Sequence, residues 1–144
     1  MTEVVEDIVA FFRMFSSLER EQICCGTVST AQCVLLQTLL EGERDVSSLA
    51  AQTRVTKSAM TRLVDGLEAR SWVTRGRGPN DGRRVLVSLT SDGKKEAQRL
   101  LHLTEKGIGT ILDAIPAADR NQVMRSIHLL RQAAEQTRDQ LDCC

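Results

Sequence analysis

Between Asp45 and Gly93 the chain reads DVSSLAAQTRVTKSAMTRLVDGLEARSWVTRGRGPNDGRRVLVSLTSDG, and this stretch constrains the fold more than any other. Asp45 or Ser47 can cap a short helix over 48–52, and Thr56 can cap a second one running to about Arg70. In that second helix Met60, Leu63, Val64 and Leu67 follow the i, i+3, i+4, i+7 spacing of a buried face. Lys57, Ser58, Thr61, Arg62 and Asp65 are left on the open face. Two short β-rich runs follow, 72–75 and 84–89, separated by Gly76-Arg77-Gly78-Pro79-Asn80-Asp81-Gly82. A turn so dense in Gly, Pro, Asn and Asp predicts a hairpin with an extended tip. Two helices, a hairpin and a third helix starting at Thr90 or Ser91 make a mainly α unit with a small β-hairpin wing, a winged helix-turn-helix.

Charge points to the partner. The chain has 19 Lys and Arg against 19 Asp and Glu, so net charge says nothing by itself. Its distribution does: from Arg54 to Lys95 there are ten bases and four acids, and elsewhere nine bases and fifteen acids. A basic centre on an acidic scaffold is the electrostatic footprint of a module that reads duplex DNA. Lys57 and Arg62 suit phosphates or guanine edges, and Ser58 and Thr61 suit phosphate or base contacts. In the hairpin Arg75, Arg77, Arg83 and Arg84 cluster around the turn, and Arg is the side chain that fits a narrow, strongly negative minor groove. Asp81 reads as a brace for the wing, bonding loop backbone or holding an Arg.

The flanks read as helices. Val5, Ile8, Val9, Phe12, Phe15 and Leu18 have helical spacing between about Thr2 and Glu21. Ser29 caps a helix over about 30–40, with Leu35, Leu36, Leu39 and Leu40 on its core side. A long helix runs from Thr90 or Ser91 to about Leu112, Pro116 ends it, and a last one covers about 118–141. The first helix and the last two have more apolar surface than a compact DNA-binding unit needs. They are expected to form a dimerisation layer, with folding back on their own domain as the alternative. The domain plan is thus one domain over 1–144: a winged part over about 30–89, dimerisation helices over about 1–22 and 90–142, and a Cys tail at 143–144. No run of about 18 apolar residues would span a membrane, and no secretory signal is visible, so a cytoplasmic protein is expected.

These residues resemble the MarR family of transcriptional regulators. The resemblance is carried by LAAQTRVTKSAMTRLVDGLEARSWVTR for the two helices and NDGRRVLVSLTSDG for the wing, in which Asp81-Gly82-Arg83 fits a D-x-R motif and Leu89-Thr90-Ser91-Asp92-Gly93 fits L-T-x-x-G. In layout it covers nearly the whole chain, and it is sharp from about Leu49 to Gly93. It implies a homodimer with interlocked terminal helices, binding a pseudo-palindromic double-stranded operator, commonly as a repressor. Lys57, Ser58, Thr61 and Arg62 then belong to the recognition helix and Arg83 to the wing. Ser71 departs from the family, which often has Gly between helix and strand.

Effector class is where the family varies most, and here the five cysteines have to be read physically. Cys33 sits one turn before Leu36 and reads first as core packing, second as a ligand. Cys24-Cys25 and Cys143-Cys144 are adjacent pairs, and adjacent thiols do not easily close a relaxed disulfide. They can offer soft sulfur donors to arsenic(III), antimony(III), Hg, Cd, Zn or Cu(I). The expected site joins Cys24 and Cys25 to Cys143, Cys144 or both from the other subunit, and its closure would release the operator. Thiol oxidation and a small organic ligand are the competing effector readings, though few aromatics are available to stack a flat ligand. DNA binding itself is expected to need no cofactor. An enzyme reading lacks support: there is no C-x-x-C, no phosphate loop, and His102 and His128 stand isolated.

Overall fold

A computed structural model of the chain describes residues 2–20, 27–80 and 82–140, without the side chains of residues 18–20 and 139. Among the described residues six helices and three short strands follow in the order α1 (Thr2–Arg20), α2 (Thr30–Leu39), β1 (Arg44–Asp45), α3 (Val46–Thr53), α4 (Lys57–Ala69), β2 (Val73–Arg77), β3 (Val85–Leu89), α5 (Ser91–Asp113) and α6 (Ala117–Gln136). A 3-10 turn over Arg138–Gln140 follows. The residues group into two compact units, Met1–Glu105 and Lys106–Cys144.

In the first unit α2, α3 and α4 each start at a capping side chain. Ser29 and Gln32 exchange hydrogen bonds as a capping box at the start of α2, satisfying two otherwise unpaired amides. Asp45 accepts from the Ser48 amide at 2.9 Å, and Thr56 accepts from the Ala59 amide at 3.1 Å. Leu35, Leu36, Leu49, Val64, Leu67, Val87, Ala97 and Leu100 are wholly buried, and Met60, Val73 and Cys33 nearly so. One apolar core therefore gathers residues from α2, α3, α4, β2, β3 and α5.

The sheet differs from the hairpin expected from sequence. It has three antiparallel strands in the order β1-β3-β2, because Arg44 and Asp45 pair with Val87 and Leu86. A two-residue strand is too short for any alternation to show, so its formation depends on β3 being alongside. The hairpin register sets Val73 opposite Leu89, Arg75 opposite Val87 and Arg77 opposite Val85.

Ser71, Trp72, Thr90 and Gly93 join wing, helix and core. Ser71 takes a left-handed backbone, φ 58°, and its amide reaches the Glu68 carbonyl at 2.8 Å while the Trp72 amide reaches that of Leu67 at 3.1 Å. This is a Schellman ending for α4, the position where glycine is usual. Thr90 then caps α5: its hydroxyl accepts from the Gly93 amide at 3.0 Å and donates to the Ser71 carbonyl at 2.6 Å. Gly93 is required by contact, since a Cβ there would lie 1.7 Å from the Trp72 carbonyl oxygen. The L-T-x-x-G sequence is thus the cap and the close approach that seat α5 on the start of β2.

The second unit is built on the C-terminal turns of α5 and on α6. The Arg120 guanidinium donates to the Ile115 carbonyl at 2.9 Å and the Asp113 carbonyl at 3.0 Å, filling acceptors that a helix end leaves open. No residue of α6 is buried. Met124, Ile127, Leu129 and Leu130 are all more than half exposed, as are Val4, Val5 and Phe12 of α1. Among the described residues, no helix is long and apolar enough to cross a membrane.

Candidate nucleic-acid interface

Helix α4 is held from behind and open in front. Met60, Val64 and Leu67 anchor it in the core, and Lys57, Ser58, Thr61 and Arg62 are exposed on the opposite side. The turn before it is tight: Arg54 takes a left-handed conformation, φ 55°, and the Val55 amide closes back on the Ala50 carbonyl at 3.2 Å. This makes α3 and α4 a helix-turn-helix with a fixed angle. Within α4 the Thr61 hydroxyl donates to the Lys57 carbonyl at 2.9 Å, which leaves its oxygen as an outward acceptor. The Ser58 hydroxyl lies 3.1 Å from that of Thr56.

On the wing, Arg77, Arg83 and Arg84 are exposed. The Gly78 amide reaches the Arg84 carbonyl at 3.0 Å, so pairing continues past the last ladder residues into the loop. Between wing and helices runs an open groove of about 510 Å³, lined by Asp45, Val46 and Ser47 at the start of α3, by Lys57 and Thr61 of α4, and by Arg75, Arg83, Arg84 and Val85 of the wing. Of the residues chosen from sequence, Lys57, Thr61, Arg75, Arg83 and Arg84 thus meet on one concave, basic surface, while Ser58, Arg62 and Arg77 lie outside its lining. The α3 start was not anticipated there; its signal was the Asp45 cap, which marks where the helix begins but not what it faces.

Arg75 departs from the expectation of a DNA contact. Its guanidinium turns onto α4, pairing with Asp65 at 2.5 Å and with the Glu68 carboxylate, and its side chain is only 24% exposed. Strand alternation explains the direction. Arg75 is two residues from the buried Val73 and opposite the buried Val87, so it lies on the inner face of the wing.

Cys33 lies in the core at 2% exposure, where Gln37 Nε2 donates to its Sγ at 3.4 Å. Cys24, Cys25, Cys143, Cys144 and Asp81 fall outside the described residues. Among the described residues, no three His, Cys, Asp or Glu side chains come together as a metal site.

A helix-turn-helix with a basic strand-loop-strand beside it defines a winged helix protein of the DNA-reading kind. The MarR family profile matches residues 27–84. The HTH-type transcriptional regulator Mb0904 of Mycobacterium bovis is 30% identical over 109 residues, covering 75% of this chain and 71% of that one. The HTH-type transcriptional repressor MdtR of Bacillus subtilis is 26% identical over 136 residues, 94% of this chain and 88% of its own. The crystal structure of Bacillus subtilis YusO superposes with a TM-score of 0.71 at 25% identity, covering 92% of this chain and 98% of that one. The chain belongs to the MarR family of winged helix transcriptional regulators. It is a DNA-binding regulator, as the relatives Mb0904 and MdtR are transcriptional regulators by name.

Proposed function

We propose that the chain acts in the cytoplasm as a homodimeric repressor of a pseudo-palindromic operator. Helix α4 enters the major groove with Lys57, Ser58, Thr61 and Arg62, and the wing reaches the flanking minor groove with Arg77, Arg83 and Arg84. The observation that carries this reading is the basic groove between α4 and the wing, lined by Lys57, Thr61, Arg83 and Arg84. Dimerisation is supported by the apolar side chains that α1 and α6 leave exposed, among them Val4, Val5, Phe12, Met124, Ile127 and Leu130. Twofold symmetry then repeats the groove at a fixed spacing, which is what an inverted-repeat operator requires.

The effector in this reading is a thiophilic ion such as arsenite, antimonite, mercury or cadmium. Its support is the pair of adjacent thiols at Cys24-Cys25 and the second pair at the other end of the sequence. Cys24 and Cys25 supply two donors, and Cys143 of the partner subunit, Cys144 of the partner subunit or both supply the rest. Ion binding releases DNA only if it favours the conformation that does not fit the operator.

Titration of the dimer on a duplex enriched by the protein from a random-sequence pool tests both parts. Arsenite and cadmium should release that duplex from the wild-type protein and leave a cysteine-free variant bound. Equal release from both proteins would remove the thiol site. Failure to enrich any duplex would remove the DNA reading as well.

A further inference from the structure

We infer that Arg75 is a positioning residue that locks the DNA-reading helix to the wing through Asp65 and Glu68. The inference rests on the assignment of α4 as the helix that enters DNA.

The starting observation is an electrostatic oddity. Between Arg54 and Lys95 the sequence has four acids, and two of them, Asp65 and Glu68, lie on α4. Carboxylates on a helix that approaches phosphates weaken binding by repulsion, so on charge alone they are misplaced. Both are engaged by the same guanidinium. Arg75 Nη2 meets Asp65 Oδ1 at 2.5 Å and reaches toward the Thr61 carbonyl at 3.5 Å, and Nη1 meets the Glu68 carboxylate. Asp65 and Glu68 are one turn apart, so they face the same side of α4 and present a two-pronged acceptor to a planar, forked donor.

The geometry links the right elements. Arg75 sits in β2 opposite Val87, in the middle of the hairpin ladder, so its backbone moves with the wing. Asp65 lies one turn beyond Thr61, which is itself on the groove-facing side of α4. One side chain thus ties the strand carrying Arg77 to the helix carrying Lys57 and Arg62. A rigid angle between two DNA-contacting elements removes motion that binding would otherwise have to freeze, and it favours only duplexes whose groove spacing fits. The latch therefore sharpens discrimination between operator and other DNA, and a phosphate contact by the same Arg would not.

Simple charge and the latch predict opposite signs. Asp65→Asn with Glu68→Gln removes two negative charges, and electrostatics alone makes that variant bind every duplex more tightly. The latch requires it to bind the enriched duplex roughly tenfold more weakly, with a scrambled duplex of equal length held as well as before or better. Arg75→Ala should show the same loss with an unchanged salt slope, because no phosphate contact is deleted; a lost phosphate contact would reduce the slope by about one. The triple variant should be no weaker than Arg75→Ala alone. Both acids are solvent-exposed, with side chains 59% and 42% accessible, so the double variant keeps its fold, as circular dichroism and the unfolding midpoint will register. Undiminished affinity in the double variant, a reduced salt slope in Arg75→Ala, or additive losses in the triple variant each overturn the latch. Arg62→Ala separates the two levels. If it weakens binding while the latch variants do not, only the latch fails. If Arg62→Ala and Lys57→Ala both bind as wild type, the assignment of α4 fails.

Discussion

The winged unit and the terminal helices use similar amounts of apolar sequence to different ends. Between α2 and the first half of α5 the apolar positions close on one another, with Leu35, Leu36, Leu49 and Leu100 wholly buried. In α6 nothing is buried, and α1 leaves Phe12 64% exposed. Both sets have helical periodicity, so periodicity alone does not say what a face is buried against. The difference teaches that the winged unit is complete within one chain, whereas α1 and α6 have apolar faces that one chain leaves in water. Burial of such faces contributes roughly 25 cal/mol per Å², which is what the proposed dimer would gain by covering them.

The sharpest attack on the closed half of that comparison is Gly93→Ala. A methyl group there collides with the Trp72 carbonyl, and backbone cannot step aside as a flexible side chain could. Stability should fall by about 3 kcal/mol or more, read by urea unfolding; a loss under 1 kcal/mol would mean that α5 is not seated on β2 as described. Leu36→Ala should lose about 3 kcal/mol by the same assay, through the cavity it leaves.

The open half is tested by Ile127→Glu. In a lone subunit this exposed position should tolerate the change. If a second copy covers it, the dimer dissociation constant should rise at least tenfold, about 1.4 kcal/mol, in sedimentation equilibrium. A wild-type protein that sediments as a monomer at every concentration ends this part of the comparison.

Two further substitutions probe the groove and the turn behind it. Arg83→Ala should weaken binding of the enriched duplex by roughly 2 kcal/mol without changing the sedimentation profile, and equal binding at matched salt would take the wing out of the interface. Ser71→Gly should raise stability by about 0.5–1 kcal/mol, since glycine adopts φ 58° without the steric conflict that a Cβ brings. A decrease would show that Ser71 makes a compensating contact.

Much of the site was legible because its signals are local. Thr56, Met60, Leu63, Val64 and Leu67 specify α4 and its buried side within four turns, which leaves Lys57, Ser58, Thr61 and Arg62 facing outward. The Gly-rich, Arg-rich turn marks the wing in the same way. Proximity in sequence groups Arg75 with the other wing arginines and hides its partners on α4. Counting by twos from Val73 would have put it on the inner face, and the Asp65, Glu68 spacing would have supplied its partners. Strand β1 offered no comparable clue.

The chain's own order of caps, apolar periods and turn residues determined that there would be a helix-turn-helix followed by a basic wing, because each of those preferences acts between residues a few positions apart. That Arg75 is drawn onto α4 while Arg77, Arg83 and Arg84 stay exposed, and that Arg44 and Asp45 join a sheet, was decided only when the elements packed. Those outcomes depend on contacts between residues 7 to 43 positions apart in the sequence, whose distance is set by the core between them and not by the chain that connects them.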